Sequence, residues 1–555
     1  MARRFRSSFT GISRLGRLIR LKTRTTASLA ALIAVSAISF AATERLRPTP
    51  LYAGLSSRAE ASQTAQPTVP ESTAPSGPQR PPFRADRPIA IVGGLLIDAT
   101  GASPRHDMTV ITNGDRIVEI GPSEEVKIPL GAHVVDAAGM TIMPGLIDSN
   151  QHIVLNPMNA TPDMGMTLDE FKKRWEANWA QAERMAWVYL MQGVTRFRQT
   201  PGPVPLERKI AQRIQQGEIA GSIPILGGSL WMSEVHYQLH LKSYDQTDPK
   251  FEEYVRHNFE YNVIKDLKNL DPNGWGQERP DINYWKMYLW GQPYDGKNDF
   301  TDEELKQIIA RGRQLGKVID VHCGGGGIQG LRRCLQFDID TLEHPFAGNY
   351  VIPWDIVQGF VKKNVIVATL LQVSINTNLR ATNPHRFNDV SYIMSMEPSD
   401  YRVLMQYRDK MLWNQRHPNE PIFSVYPANS NRRGRQTYAD QVKAIATSKE
   451  NMRRFIKAGA RFWMGTDTGA FMGWRQENPQ AREMAAMVEL GMTPMAAIQA
   501  ATKVAGEGLR MEKDLGTLEK GKIADIIVVA GNPLLDMYDA MSNVYAVVQN
   551  GLRYK

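Results

Sequence analysis

Two rhythms of apolar positions run along this chain. From Arg87 onward, short alternating runs at 90–96, 108–112, 116–120 and Val134-Val135 are separated by turn residues, notably Gly93-Gly94, Asn113-Gly114-Asp115 and Gly121-Pro122. Alternation between such turns predicts strands with one buried face. The same rhythm returns at the far end, at 524–529 and 545–551, after Gly516-Thr517-Leu518 and Gly521-Lys522. The two ends read as halves of one small β-sandwich, 87–143 and 514–555, with everything between inserted in it.

Between them, strand and helix patterns alternate. Thr167-Leu168-Asp169-Glu170 is a capping box that opens a helix running to Leu190 and stopped by Gly193. Thr301-Asp302-Glu303-Glu304 opens another, stopped at Gly316, and Thr493-Pro494 starts a third with proline at its first position. Strands follow the first two, at 194–197 and 317–322. Such repetition over 144–513 predicts an α/β fold, a (β/α)8 TIM-like barrel. Stretches 232–280 and 371–440 are longer than barrel loops need to be, and their Tyr, Trp, Met, Asn and Arg make them candidates for a lid or substrate wall.

Five strands carry a polar residue inside or at the end of an apolar run. The stretch 134–152 passes through Pro144-Gly145 and Leu146-Ile147 to Asp148-Ser149-Asn150-Gln151-His152. The carboxyl ends of parallel barrel strands form the face that carries chemistry. Lys286 lies in an aromatic strand, 281–290, on one face with Ile282, Tyr284, Tyr288 and Trp290. An ammonium there must be neutralised, snorkel to the strand end, or pair with an acid. His322 closes 317–322 ahead of Cys323 and the glycine run 324–327. His344 closes 339–344, and Asp467 closes 461–467, where the alternative role is to cap the next helix. Imidazoles with carboxylates suit a divalent metal ion.

The wording of these stretches resembles the amidohydrolase superfamily, in its imidazolonepropionase/prolidase-like branch, over residues 87–555. PGLID enters the first barrel strand, Glu343-His344 ends the sixth, Gly465-Thr466-Asp467 ends the eighth, and GTLEKGKIADIIVV with VVQNGLRY resembles the closing sandwich. The family's His-x-His pair reads Asn150-Gln151-His152, without its first histidine. The resemblance implies one or two divalent ions, Zn²⁺ first, and a CO₂-derived carbamate on Lys286. Lys286, His322 and His344 would hold one ion, and His152, Asp467 and the same carbamate the other. Asn150 would either ligate weakly or hydrogen-bond around His152. Asp467 would take a proton from metal-activated water and pass it to the leaving amine. The implied activity is hydrolysis of an amide or peptide-type C–N bond in a small molecule or short peptide. A lactonase or esterase is the alternative, as is a silent binding barrel, and a homo-oligomer stays open.

Charge changes the picture at the N-terminus alone. The net charge of +9 suggests nucleic acid until it is located: residues 1–41 hold eight Arg and Lys and no acid, so the remainder carries +1. Nucleic-acid binding is excluded on that ground. The basic start, an apolar run and Ser39-Phe40-Ala41 make 1–42 a signal peptide or N-terminal membrane anchor, with periplasmic or extracellular destination. Residues 43–86, rich in Pro, Ser, Thr and Ala, read as a disordered tether. Cys323 and Cys334, the two cysteines, read as core thiols.

Overall fold

The computed structural model describes residues 87–153, 167–200, 202, 204–233, 250, 253–254, 262–264, 281–289, 300–323, 327–346, 350–371, 398–421, 437–469 and 478–555. These residues lie in one compact unit. The expected leader and tether, and most of the two long insertions, fall outside them. Among the described residues no helix is long and apolar enough to cross a membrane.

The chain opens with β1 (Ile89–Leu96), β2 (Arg105–Asn113), β3 (Arg116–Pro122), β4 (His133–Asp136) and β5 (Met140–Pro144). Then come β6 (Leu146–Asp148), β7 (Val194–Arg198), β8 (Ile223–Ile225), β9 (Gly227–Ser233), β10 (Asn262–Ile264), β11 (Tyr284–Tyr288), β12 (Val318–His322), β13 (Thr341–Glu343), β14 (Ile366–Ala368) and β15 (Arg461–Trp463). It closes with β16 (Ile526–Ala530), β17 (Val544–Gln549) and β18 (Leu552–Arg553).

Both ends of the chain join one eight-stranded sheet, in the order β18-β17-β16-β5-β1-β2-β3 with β4 also on β1. The joint is antiparallel, with Ile526 opposite Pro144 and Val528 opposite Ile142. Ile91, Val110, Ile142, Ile526 and Val548 share one apolar core. Buried Arg196 ties this sheet to β7, giving Nε to Asp525 at 2.8 Å and Nη2 to Asn550 at 2.6 Å.

The insertion forms two parallel sheets, β10-β9-β11-β12-β13-β14-β15 and β6-β7-β8. Among the described residues, β6, β7, β12, β13 and β14 are short and buried on both faces, as parallel strands covered by helices are. The helices begin where the capping boxes lie: Thr167 with Glu170 opens Leu168–Met191, and Thr301 with Glu304 opens Asp302–Gln314. A third box, Thr437 with Asp440, opens Tyr438–Lys457. Thr493 caps Pro494–Ala500 through Ala496 N, with Pro494 inside the first turn.

One expectation is overturned. Cys323 and Cys334 are a disulfide, not two thiols, with their Cα atoms 6.7 Å apart. Cys323 directly follows the end of β12 and Cys334 ends the helix Gly327–Cys334, so the bond fastens that helix to the strand end. A spacing of 11 residues does not reveal this approach, because it depends on how the intervening chain turns back.

Candidate active site

The peptide after β6 is threaded between its neighbours. Ser149 N donates to Met464 O (2.9 Å), Gln151 N to Arg198 O (2.9 Å) and His152 N to Thr468 O (2.8 Å). Asp467 N returns a bond to Asn150 O at 2.7 Å. Asp148 fastens this junction, with Oδ1 accepting from Asn150 N and Thr466 N, both at 3.1 Å. Its Oδ2 accepts from Thr466 Oγ1 at 2.7 Å and Gln480 Nε2 at 3.2 Å. Burial pushes Asp148 up to about 6, against the pull of those hydrogen bonds. Two close approaches need glycine. A Cβ at Gly145 would run into the Thr195 side chain, and one at Gly469 would sit 2.5 Å from His152 Cβ.

Four of the five expected residues meet here. His152 Nε2 lies 2.9 Å from Asp467 Oδ1, and His344 Nε2 lies 3.6 Å from Asp467 Oδ2. The His322 and His344 rings stand 4.5 Å apart, centroid to centroid. Burial pushes His344 down to about 4, although Asp467 opposes it, so its imidazole is neutral at pH 7. His344 and Asp467 both have left-handed backbones, with φ of +54° and +48°. That conformation costs about 1–2 kcal/mol for an ordinary residue and gathers at functional sites. Asp467 is engaged with the two histidines and does not cap a helix: the next described one, Pro479–Glu489, is preceded by Asn478.

Lys286 belongs to an adjoining group. Its Nζ lies 3.1 Å from Asp320 Oδ2, the pairing with an acid. Arg198, wholly buried, reaches Glu343 Oε1 at 2.6 Å and Asp320 Oδ1 at 3.2 Å. Its guanidinium stacks on the rings of Tyr284 (4.5 Å) and Trp463 (4.3 Å), while Nε donates to Ser149 O at 2.7 Å. Burial alone would raise Asp320, but Arg198 and Lys286 hold its carboxyl well below the usual range. Burial, then the Asp320 charge, push Glu343 up to about 8. Asn150 gives its Nδ2 to Glu343 Oε2 at 3.0 Å, so its hydrogen bond goes to this group and not around His152.

Arg198, Asp320, Glu343 and Asp148 were not among the expected site residues. Asp320 had a signal, since it precedes His322 by two positions and so shares its face of β12. Glu343 stood in the Glu343-His344 phrase without a role of its own, and Arg198 had no signal, because each acquires its role from a partner on another strand.

The profile of the Amidohydrolase family matches residues 295–553. An imidazolonepropionase from Streptomyces griseus is 45% identical over 49 residues, 9% of this chain and 12% of that enzyme. Among solved structures, a Xaa-Pro dipeptidase with methionine bound in its active site is similar at 19% identity and a TM-score of 0.61. That likeness covers 84% of this chain and 100% of the other. A molinate hydrolase is similar at 22% identity and a TM-score of 0.60, over 84% of this chain and 95% of that one. Through these the mixed α/β fold with parallel sheets resembles the distorted TIM-barrel of the amidohydrolases, and the Amidohydrolase family profile matches the stretch that carries the strands of His322, His344 and Asp467.

Proposed function

We propose that this chain is an exported, metal-dependent hydrolase that cleaves an amide or peptide-type C–N bond in a small molecule or short peptide. The observation that carries the reading is the meeting of His152, His344 and Asp467, with the His322 ring against that of His344. A closed (β/α)8 barrel would place all four on one active face. Two features support that closure. Leu226 alone separates β8 from β9, so they count as one interrupted strand, and with β10 as an added edge strand the total is eight. Across the other seam, Ser149 N donates to Met464 O.

The donor set fits a divalent ion. Three imidazoles and a carboxylate suit Zn²⁺ or a similar metal. Two buried atoms among them, His152 Nδ1 and Asp467 Oδ2, have no hydrogen-bond partner. Among the described residues no three such side chains are already drawn together as ligands, so loading requires them to part from one another. His152, His322, His344 and Asp467 would hold the ion. Bound there, a divalent metal supplies the Lewis acidity that polarises a carbonyl and makes water acidic near neutral pH.

Proton movement falls to the protein. Asp467, oriented by His152 Nε2 at 2.9 Å, is the acceptor for the attacking water's proton and hands it to the departing nitrogen. The Cys323 to Cys334 disulfide supports export, because such bonds persist in oxidising compartments. The test is a panel of dipeptides, N-acyl amino acids and lactones offered to the Zn²⁺- or Mn²⁺-loaded protein. At least one amide should be cleaved, the activity lost on chelation, and turnover reduced about 10²–10⁴-fold in Asp467→Asn with the fold intact. Cleavage of lactones alone would replace the bond assignment. Full turnover in Asp467→Asn would refute the role given to that carboxylate.

A further inference from the structure

The end of β12 is held by a closed ring of contacts. His322 O accepts from the N–H of Leu289, the residue that follows β11, at 3.3 Å. Leu289 O in turn accepts from Arg333 Nη1. Arg333 is joined along the chain to Cys334, Cys334 is bonded to Cys323, and Cys323 is joined to His322. Leu289, Cys323 and Cys334 are wholly buried, and Arg333 nearly so.

Arg333 does more than close the ring. Its Nη2 donates to Phe300 O at 2.9 Å and its Nε to Asp302 Oδ1 at 2.7 Å. It therefore grips the chain where it leaves β11 and again where it enters the helix Asp302–Gln314. A rigid fork of N–H groups spans three such acceptors, which a single ammonium does not.

The sequence beside the ring gives it a task. Gly324–Gly327 follow Cys323 directly, and glycine has more conformational freedom than any other residue. Such a run does little to fix the residues before it, whereas a covalent bond one position after His322 does. A staple placed for stability alone could join any two elements. This one sits next to the imidazole whose ring stands 4.5 Å from that of His344.

We infer that Arg333 and the Cys323 to Cys334 bond are positioning groups that hold His322 in place for the ion. The ion belongs to the metal-dependent reading above; the hold on His322 does not.

The full chain should be compared with Cys323→Ala/Cys334→Ala, and with Arg333→Lys, which keeps the charge but loses the fork. In the metal-free proteins the Leu289 amide reports its bond to His322 directly. In both variants its hydrogen exchange should quicken about tenfold more than that of Ile366, whose N–H donates to Asp340 O outside the ring. Titration with Co²⁺ alone should show binding about 10–100-fold weaker in the cysteine variant, with an altered visible absorption of the bound ion. Arg333→Lys should move both readings the same way by less. Thr437→Ala, which removes a cap from a helix outside the ring, should leave them as in wild type. Equal acceleration at Leu289 and Ile366, or Co²⁺ affinity and absorption unchanged in both ring variants, would overturn the inference. Should the cysteine variant fail to fold, Arg333→Lys decides. If the wild type takes up no Co²⁺, the metal-dependent reading is refuted, and the exchange ratio still decides whether the ring holds His322.

Discussion

Asp148→Asn should change how stability depends on pH, by an amount the structure fixes. Asp148 is wholly buried, and burial raises its carboxyl from 3.8 to about 6. Below pH ~4 the folded and unfolded chains both hold the proton. Between about 4 and 6 the unfolded chain releases it while the folded chain keeps it, so the native state binds more protons and stability falls as pH rises. Above about 6 both forms are ionised and the difference is constant. A shift of roughly two units is worth about 3 kcal/mol, all of it lost across that window. Asparagine has no such proton, and its contacts can be kept. Its Oδ1 accepts from Asn150 N and Thr466 N as before, the Thr466 hydroxyl turns from donor to acceptor of the new Nδ2 and gives its proton to Thr468 Oγ1, and Gln480 can turn its Oε1, which has no partner, toward the new amide. The variant should therefore gain about 3 kcal/mol relative to wild type between pH 4 and 7. Urea denaturation of the metal-free proteins at half-unit steps measures this, because metal binding carries a pH dependence of its own. Parallel stability curves for the two proteins would refute the claim that Asp148 is buried with a raised pKa.

The remaining predictions concern what holds the site in place. Reducing the Cys323 to Cys334 bond, or Cys334→Ser, should lower stability by about 2–3 kcal/mol, the entropy expected for so short a loop; two thiols titrating in the native, unreduced protein would refute the bond. Arg198→Met should cost about 3–5 kcal/mol, because it leaves Asp320 and Glu343 buried with a cation missing; a loss below about 1 kcal/mol in urea denaturation would show that the array is not coupled. Gly145→Ala should cost about 1–3 kcal/mol by driving a methyl group into Thr195 at the joint of β5 and β6, and a thermal midpoint equal to wild type would contradict that packing.

What the sequence made legible was local. Thr167 with Glu170, and Thr301 with Glu304, announce their helices within four residues, and the structure closes both boxes. Thr437 with Asp440 closes a third, but aspartate at that position falls outside the usual Glu or Gln pattern. The shared sheet of the two termini was legible because both ends repeat one strand rhythm. His152, His322, His344 and Asp467 were legible because each ends an apolar run. The partners that define the site were not. Arg198 meets Glu343 across 145 residues, and Lys286 meets Asp320 through a strand register that no local pattern encodes.

That division follows from where the strain is placed. His344 and Asp467 sit in left-handed backbone, which is uncommon outside glycine although aspartate and histidine enter it more readily than most residues. A local signal cannot explain them, because the conformation is imposed from outside the strand. Asp467 N is drawn onto Asn150 O, and Thr466, one residue earlier, is pinned through its backbone N–H and its hydroxyl by Asp148. Asp148 is itself destabilising when ionised, since its burial raises its pKa. An apolar residue there would spare the fold that cost, but it would release Thr466 and Asn150 together. The chain thus keeps a costly buried carboxyl and the left-handed Asp467 within one junction, and that junction is the one that brings Asp467 Oδ1 to within 2.9 Å of His152 Nε2. Costs concentrated where two chemically capable side chains meet are expected of a working site and not of a scaffold, which gains nothing from them.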